Sequence, residues 1–229
     1  SCDAIISVSS SSADDVASVF EIDRSKINII PHGIDVGAFE APAMLSPELA
    51  ARTGDGYVLF VGNIEPRKNL RALAAGYRES GLARAGIKLV VAGKPAWNAE
   101  EILSDLSATP GVELLGFVSD RERIALMQHS ALFAFPSLYE GFGFPVLEAL
   151  AAGTVVIASD RGALRDIAGP SLRFADVDAA AISSGLLLGV SDKEARASVI
   201  ASGRDWARSF SWDQSCLAHA KVYESVASA

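Results

Sequence analysis

The chain has 229 residues, 50% hydrophobic and 21% charged, a balance that excludes a disordered or solvating segment. With 28 acidic against 20 basic residues the formal charge is −8, so no broad basic face is available for nucleic acid or for an anionic membrane surface. No apolar run approaches the roughly 18 residues of a membrane span, and Ser1-Cys2-Asp3 lacks the charged start of a secretory leader, so a cytoplasmic location is expected.

The chain opens on Ser1 without an initiator Met and enters an apolar run, Ala4 to Val8, which points to a segment of something longer. That run reads as a strand, and Ser11 to Phe20 as a helix capped by the serines Ser9 to Ser12; Ile27 to Ile30 is the next strand. One helix between two strands is too little to bury a core, so residues 1–30 need support from elsewhere. A turn-rich stretch follows from Pro31 through Thr53, with His32 as a turn residue in Pro31-His32-Gly33-Ile34-Asp35. From there short β-branched runs alternate with helical spacing. Strands are expected at Tyr57 to Val61, Lys88 to Ala92, Val112 to Leu115, Leu132 to Pro136 and Thr154 to Ala158. Helices are expected at Leu70 to Glu79, Ala99 to Leu106, Arg121 to Gln128 and Pro145 to Ala152, with a helical tail from Ala179 and a boundary near Phe210. This alternation predicts an α/β fold with a Rossmann-like parallel sheet and helices on both faces. The units are then residues 1–30, a linker at 31–53, a central α/β domain at 54–209 and a C-terminal helix at 210–229. Cys2 and Cys216 are too few for a disulfide framework and read as reduced thiols; His129 and His219 read as structural, and no metal-ligand cluster is present.

In a parallel sheet the ligand sits beyond the carboxyl ends of the strands, so the loops after each apolar run hold the chemistry. Gly62-Asn63-Ile64-Glu65-Pro66-Arg67-Lys68-Asn69 places two cations at a strand-to-helix junction, where they oppose the helix dipole unless they serve an anion; the alternative is a solvated basic pair. Pro136 to Leu150 contains Glu140-Gly141-Phe142-Gly143-Phe144-Pro145, in which Pro145 fits the first helical position and no side chain caps the exposed amides before it. Free amides beside glycines suit a phosphate or a sugar hydroxyl. Glu140 and Glu148 flank the turn, and carboxylates accept bonds from vicinal hydroxyls; Glu148 alone would serve equally as an acid in the first turn that stabilises the dipole. Lys94, with Trp97, adds a cation and an aromatic wall or else a surface lysine beside a packed ring. Gly116-Phe117-Val118 holds a base by backbone contacts or else packs in the core. A dinucleotide fingerprint matches only partly: Gly141 and Gly143 are present, but Val146 stands where Gly or Ala should pack helix on strand, and Asp160 comes early for a ribose acid.

Glu140 and Glu148, with seven residues between them in Glu-Gly-Phe-Gly-Phe-Pro-Val-Leu-Glu, resemble the donor-site signature of the retaining glycosyltransferase family 4. The run from Gly62 to Asn69 resembles that family's diphosphate loop, and Ile30 to Asp35 its interdomain linker. The resemblance implies the C-terminal half of a two-domain GT-B fold, mannosyltransferase-like, with residues 1–30 left over from an N-terminal acceptor domain and the last helix crossing back to it. It implies that Arg67 and Lys68 neutralise the diphosphate, Glu148 binds ribose, and Glu140 with the amides around Phe142 and Gly143 holds the transferred sugar. Gly62, Asn63, Lys94, Phe117, Val118, Gly141 and Phe144 complete the implied donor site. The family often carries Arg after the loop glycine; here Asn63 stands there, which leaves more of the charge to Lys68 and Arg67.

These readings predict a hexosyltransferase half that uses a nucleotide-diphosphate sugar as substrate, GDP-mannose before a UDP-sugar, with no cofactor and no metal, and that hardly catalyses without its acceptor-binding domain. Two other classes are weighed: a nucleotide-binding or docking module, and a dehydrogenase-like domain, which leaves the cation pair unexplained.

Overall fold

The computed structural model describes residues 2–228; Ser1 and Ala229, the outer bounds of the first and last expected segments, lie outside the described residues. The first elements are β1 (Ile5–Ser7), α1 (Ser10–Phe20) and β2 (Ile27–Ile29). The two strands pair in parallel, Ile5 opposite Ile27, as a separate two-stranded sheet. Ser9 caps α1 by accepting from the Ser12 amide, the role expected of the serine run.

The turn-rich stretch is not all loop: it holds two short helices, α2 (Val36–Glu40) and α3 (Pro47–Thr53). Two polar residues of the stretch act as caps. Asp35 accepts from the Ala38 amide and Ser46 from the Leu49 amide, with Pro47 in the first turn of α3.

The remaining strands are β3 (Tyr57–Val61), β4 (Lys88–Ala92), β5 (Val112–Gly116), β6 (Leu132–Phe135), β7 (Val156–Ala158) and β8 (Leu172–Arg173), in the order β5-β4-β3-β6-β7-β8. All of the pairings are parallel. Between and after them run α4 (Leu70–Ser80), α5 (Glu100–Ser107), α6 (Asp120–His129), α7 (Phe144–Ala151), α8 (Leu164–Ile167), α9 (Ala179–Ser191), α10 (Lys193–Arg208) and α11 (Trp212–Ala227). The expected parallel α/β sheet is therefore present. β8, two residues long, and the single turn of α8 were not expected, because neither is long enough to show a period. Every residue of β3 and β6 is buried, as strands covered by helices on both faces require. Among the described residues no helix is long and apolar enough to cross a membrane.

Tyr57, at the start of β3, ties the sheet to α6. Its fully buried hydroxyl donates to the Leu126 carbonyl at 2.7 Å, in the last turn of α6 where carbonyls lack helical donors. Burial raises the phenol's pKa far above its ordinary value, so the donor stays protonated. Tyr57→Phe is expected to lower stability by about 1–2 kcal/mol, read by urea denaturation, because it orphans that carbonyl while keeping the ring packing.

Candidate functional site

The strand order reverses between β3 and β6, and the chain leaves these two neighbours in opposite directions, opening a crevice past their carboxyl ends. The loop after β3 is pinned to the loop after β4: the Ile64 amide donates to Lys94 O at 2.9 Å and the Ala96 amide to Ile64 O at 3.0 Å. Pro66 to Lys68 then form one turn of 3-10 helix, and Asn69, at φ 58°, re-aims the chain into α4. Arg67 and Lys68 thus lie in that 3-10 turn, just before α4, still near the positive end of its dipole.

The cations do not face an empty crevice. Lys68 Nζ lies 2.6 Å from Glu140 Oε1, and Arg67 Nη1 lies 2.8 Å from Glu140 Oε2, so the β3 and β6 loops are joined by one carboxylate. Arg67 also donates to Tyr139 O at 3.1 Å and places its Nε 2.7 Å from Glu65 Oε1. Lys68, Glu140 and Glu65 are all buried, and the Lys68 ammonium also sits 4.9 Å from the Phe135 ring centre. Burial pulls the Lys68 pKa down, against the opposing pull of Glu140. Glu65 was not anticipated. With it the cluster holds two cations and two carboxylates.

The loop after β6 enters α7 through Gly143 at φ 108°, with no side-chain cap. The helix starts at Phe144, so Pro145 is its second residue, one later than expected. Among the described residues no acceptor takes the backbone N–H of Phe142 or Gly143. The rings of Phe142 and Phe144 do not line the crevice. They pack on His32, with centroids 5.0 and 5.2 Å away, and Phe144 stacks further on Trp212. These two residues therefore offer the crevice backbone only. His32, the expected turn residue, is an aromatic wedge between this loop and the start of α11, and burial lowers its pKa. The first unit also reaches the loop: Tyr139 donates to Asp15 Oδ2 at 2.6 Å and Ser12 to Gly141 O at 3.3 Å.

Glu148 is the fifth residue of α7, past the first turn, which holds no acid. The dipole-stabilising alternative therefore fails. Its Oε2 is held by the guanidinium of Arg123 on α6, a residue that sequence reading passed over. On the far side of the crevice the Lys94 ammonium lies 4.4 Å from the centre of the exposed Phe117 ring, so the loops after β4 and β5 do come together. Val118 is half-buried behind Phe117, whereas Trp97 is 59% exposed and forms no wall. Gly62 is half-buried at the end of β3, and Asn63 is exposed beside it. His129 and His219 make hydrogen bonds to backbone carbonyls, of Ala43 and Ser215, and are structural as expected. Cys2 and Cys216 are free and exposed. Among the described residues no group of three His, Cys, Asp or Glu side chains is placed to hold a metal.

The partial dinucleotide fingerprint stands at the wrong place in the sheet for a dehydrogenase. Gly141 and Gly143 follow β6, the fourth strand of this sheet in chain order, while the dinucleotide fingerprint belongs after the first. The first strand here is β3, followed by Gly62 alone, and Asp160 is an exposed acid beside Arg173.

The parallel sheet, its flanking helices and the crevice at the switch point give a GT-B-like fold. Residues 45–206 match the family described as glycosyl transferases group 1. The chain belongs to that family, in keeping with the retaining family 4 signature. It is 34% identical over 163 residues to O-antigen chain mannosyltransferase B of Escherichia coli, covering 69% of this chain and 43% of that protein. To the MMP alpha-(1->4)-mannosyltransferase of Mycolicibacterium hassiacum it is 28% identical over 227 residues, covering 96% of this chain and 53% of that one. The chain thus spans about half the length of the curated relatives it matches. Among solved structures it shares its fold with a glycosyltransferase from Rickettsia africae, at TM-score 0.81 and 18% identity over 98% of this chain and 63% of that one. Anabaena Alr3699/HepE, solved in complex with UDP and glucose, matches at TM-score 0.79 and 16% identity over 100% of this chain and 64% of that one.

Proposed function

We propose that this chain is the donor-binding half of a retaining hexosyltransferase that uses a nucleotide-diphosphate sugar, GDP-mannose first and a UDP-sugar second, and transfers to a glycan or glycolipid. The observation that carries this reading is the buried carboxylate of Glu140, shared by Lys68 and Arg67 across the switch point. An arriving diphosphate competes for the two cations. Glu140, released from them, is left beside the uncapped amides of Phe142 and Gly143 to accept from the hydroxyls of the sugar. Preorganised cations and amides stabilise the charge that develops on the leaving diphosphate as the bond from the anomeric carbon to its oxygen breaks. The acceptor hydroxyl attacks from the same face and its proton passes to the departing phosphate oxygen, so Glu140 is not assigned as a nucleophile. Glu148 takes the ribose hydroxyls, and Lys94, Phe117 and Val118 flank the base. The mannosyltransferase relatives favour the GDP donor, and the UDP complex of the Anabaena protein keeps a UDP-sugar next. The acceptor site and full turnover are assigned to an N-terminal domain; on its own this chain is expected to bind donor and hardly transfer.

The test is calorimetric titration with GDP, UDP, ADP and NAD, without and then with magnesium. One nucleoside diphosphate is expected to bind selectively, and Glu148→Ala to weaken it by about 10–100-fold, the worth of hydrogen bonds to a charged acceptor. Binding of none of them, or of NAD alone, would overturn the reading.

A further inference from the structure

We infer that Arg123 is a positioning residue that sets the ribose carboxylate, an inference that rests on the donor-site reading above. The guanidinium of Arg123 is fixed from three sides. Nη1 meets Glu148 Oε2, Nη2 lies 3.1 Å from Asp120 Oδ1, and the carbon of the fork lies 5.5 Å from the centre of the Phe39 ring on α2. The side chain of Arg123 is 23% exposed and that of Glu148 13%, so this pair is shielded far better than the ordinary surface pairs of this chain. A planar fork held at two nitrogens and on one face has little freedom left, and it passes that order to the carboxylate it grips.

The grip is one-sided. Glu148 Oε1 accepts no hydrogen bond from the described residues and is not sealed off from solvent. One oxygen is anchored and the other remains available, the arrangement needed to present a fixed acceptor to a pair of vicinal hydroxyls. Asp120 and Arg123 also belong to the first turn of α6, which begins directly after Phe117 and Val118, and Ser119 and Glu122 fix that turn with a reciprocal capping box. Arg123 therefore ties the loop beside the base to the acid beneath the ribose, so that the two halves of a nucleoside are met at a set distance.

A mere staple between α6 and α7 would affect all ligands alike, whereas a positioning residue acts through the ribose hydroxyls. GDP and UDP, each against its 2′,3′-dideoxy form, are titrated into the chain and into Arg123→Leu, with thermal melting followed alongside. The unsubstituted chain is expected to prefer the hydroxylated ligand by about 10-fold or more, and Arg123→Leu to bring that ratio close to one while leaving affinity for the dideoxy ligand within about twofold. Arg123→Lys keeps the charge but not the fork, is expected to lower the ratio about threefold, and serves if the leucine variant fails to fold. A ratio unchanged in whichever variant folds, or equal weakening of both ligands, would overturn the inference while leaving the donor reading intact. An unsubstituted chain that binds no nucleoside diphosphate overturns both.

Discussion

Lys68→Met is expected to cost about 3 kcal/mol of stability, the lower end for a broken buried ion pair, because Arg67 still holds the other oxygen of Glu140. The loss comes less from the missing attraction than from leaving a carboxylate that is 6% exposed with half its compensation. Removing both charges in Lys68→Met/Glu140→Leu should therefore recover most of that stability, since paired apolar replacements often match a buried ion pair. Binding should behave differently. The single and the double variant are both expected to lose at least about tenfold in affinity for the preferred nucleoside diphosphate, because the ammonium is gone from each. Urea denaturation and calorimetry on the same samples separate the two effects. A double variant that regained stability and also kept its affinity would show that Lys68 has no part in holding the diphosphate.

Much of this frame was legible from residues alone, and the reasons are local. Tyr57 to Val61 and Lys88 to Ala92 coincide with β3 and β4, since strands buried on both faces read as near-continuous apolar runs, with the charged Lys88 at the partly buried start of β4. The Glu140 and Glu148 pair was visible by its spacing. What was not legible depends on topology. Lys68 and Glu140 are 72 residues apart, and only the pairing of β3 with β6 puts them in contact, so the cations read as open when they are in fact engaged. Arg123 sits among Asp120, Arg121 and Glu122, a run that reads as a solvated helix face, and nothing local reveals its partner 25 residues on. The packing of the Phe142 and Phe144 rings was equally hidden, since their partners His32 and Trp212 lie far from them in sequence.

Gly93→Ala is expected to damage fold and site together, by about 2–4 kcal/mol, with little donor affinity left. A methyl group there would lie 1.9 Å from the Gly62 carbonyl oxygen, and that neighbour is backbone at the end of an adjacent strand, unable to move aside as a side-chain tip would. The two glycines stand back to back where β3 and β4 finish, and the Gly93 amide donates to Gly116 O at 2.7 Å, so all three loops of one flank share this point. Pushing Gly93 away from Gly62 would spread the Ile64 to Lys94 pairing and shift the turn that carries Arg67 and Lys68. Gly54→Ala supplies the control. Gly54 has φ 73° and ψ −169° with nothing within 4 Å of an added methyl group, so its alanine variant bears a backbone penalty without a clash, about 1–3 kcal/mol, before the start of β3 and away from the crevice. Gly93, at φ 156°, adds the clash to a backbone cost of its own, so its alanine variant should show the lower urea midpoint, and calorimetry should find affinity intact in Gly54→Ala and lost in Gly93→Ala. Equal midpoints with equal affinities would mean that the β3 and β4 loops yield without disturbing the cations, and that the tight contact of these glycines does not set the geometry of the site.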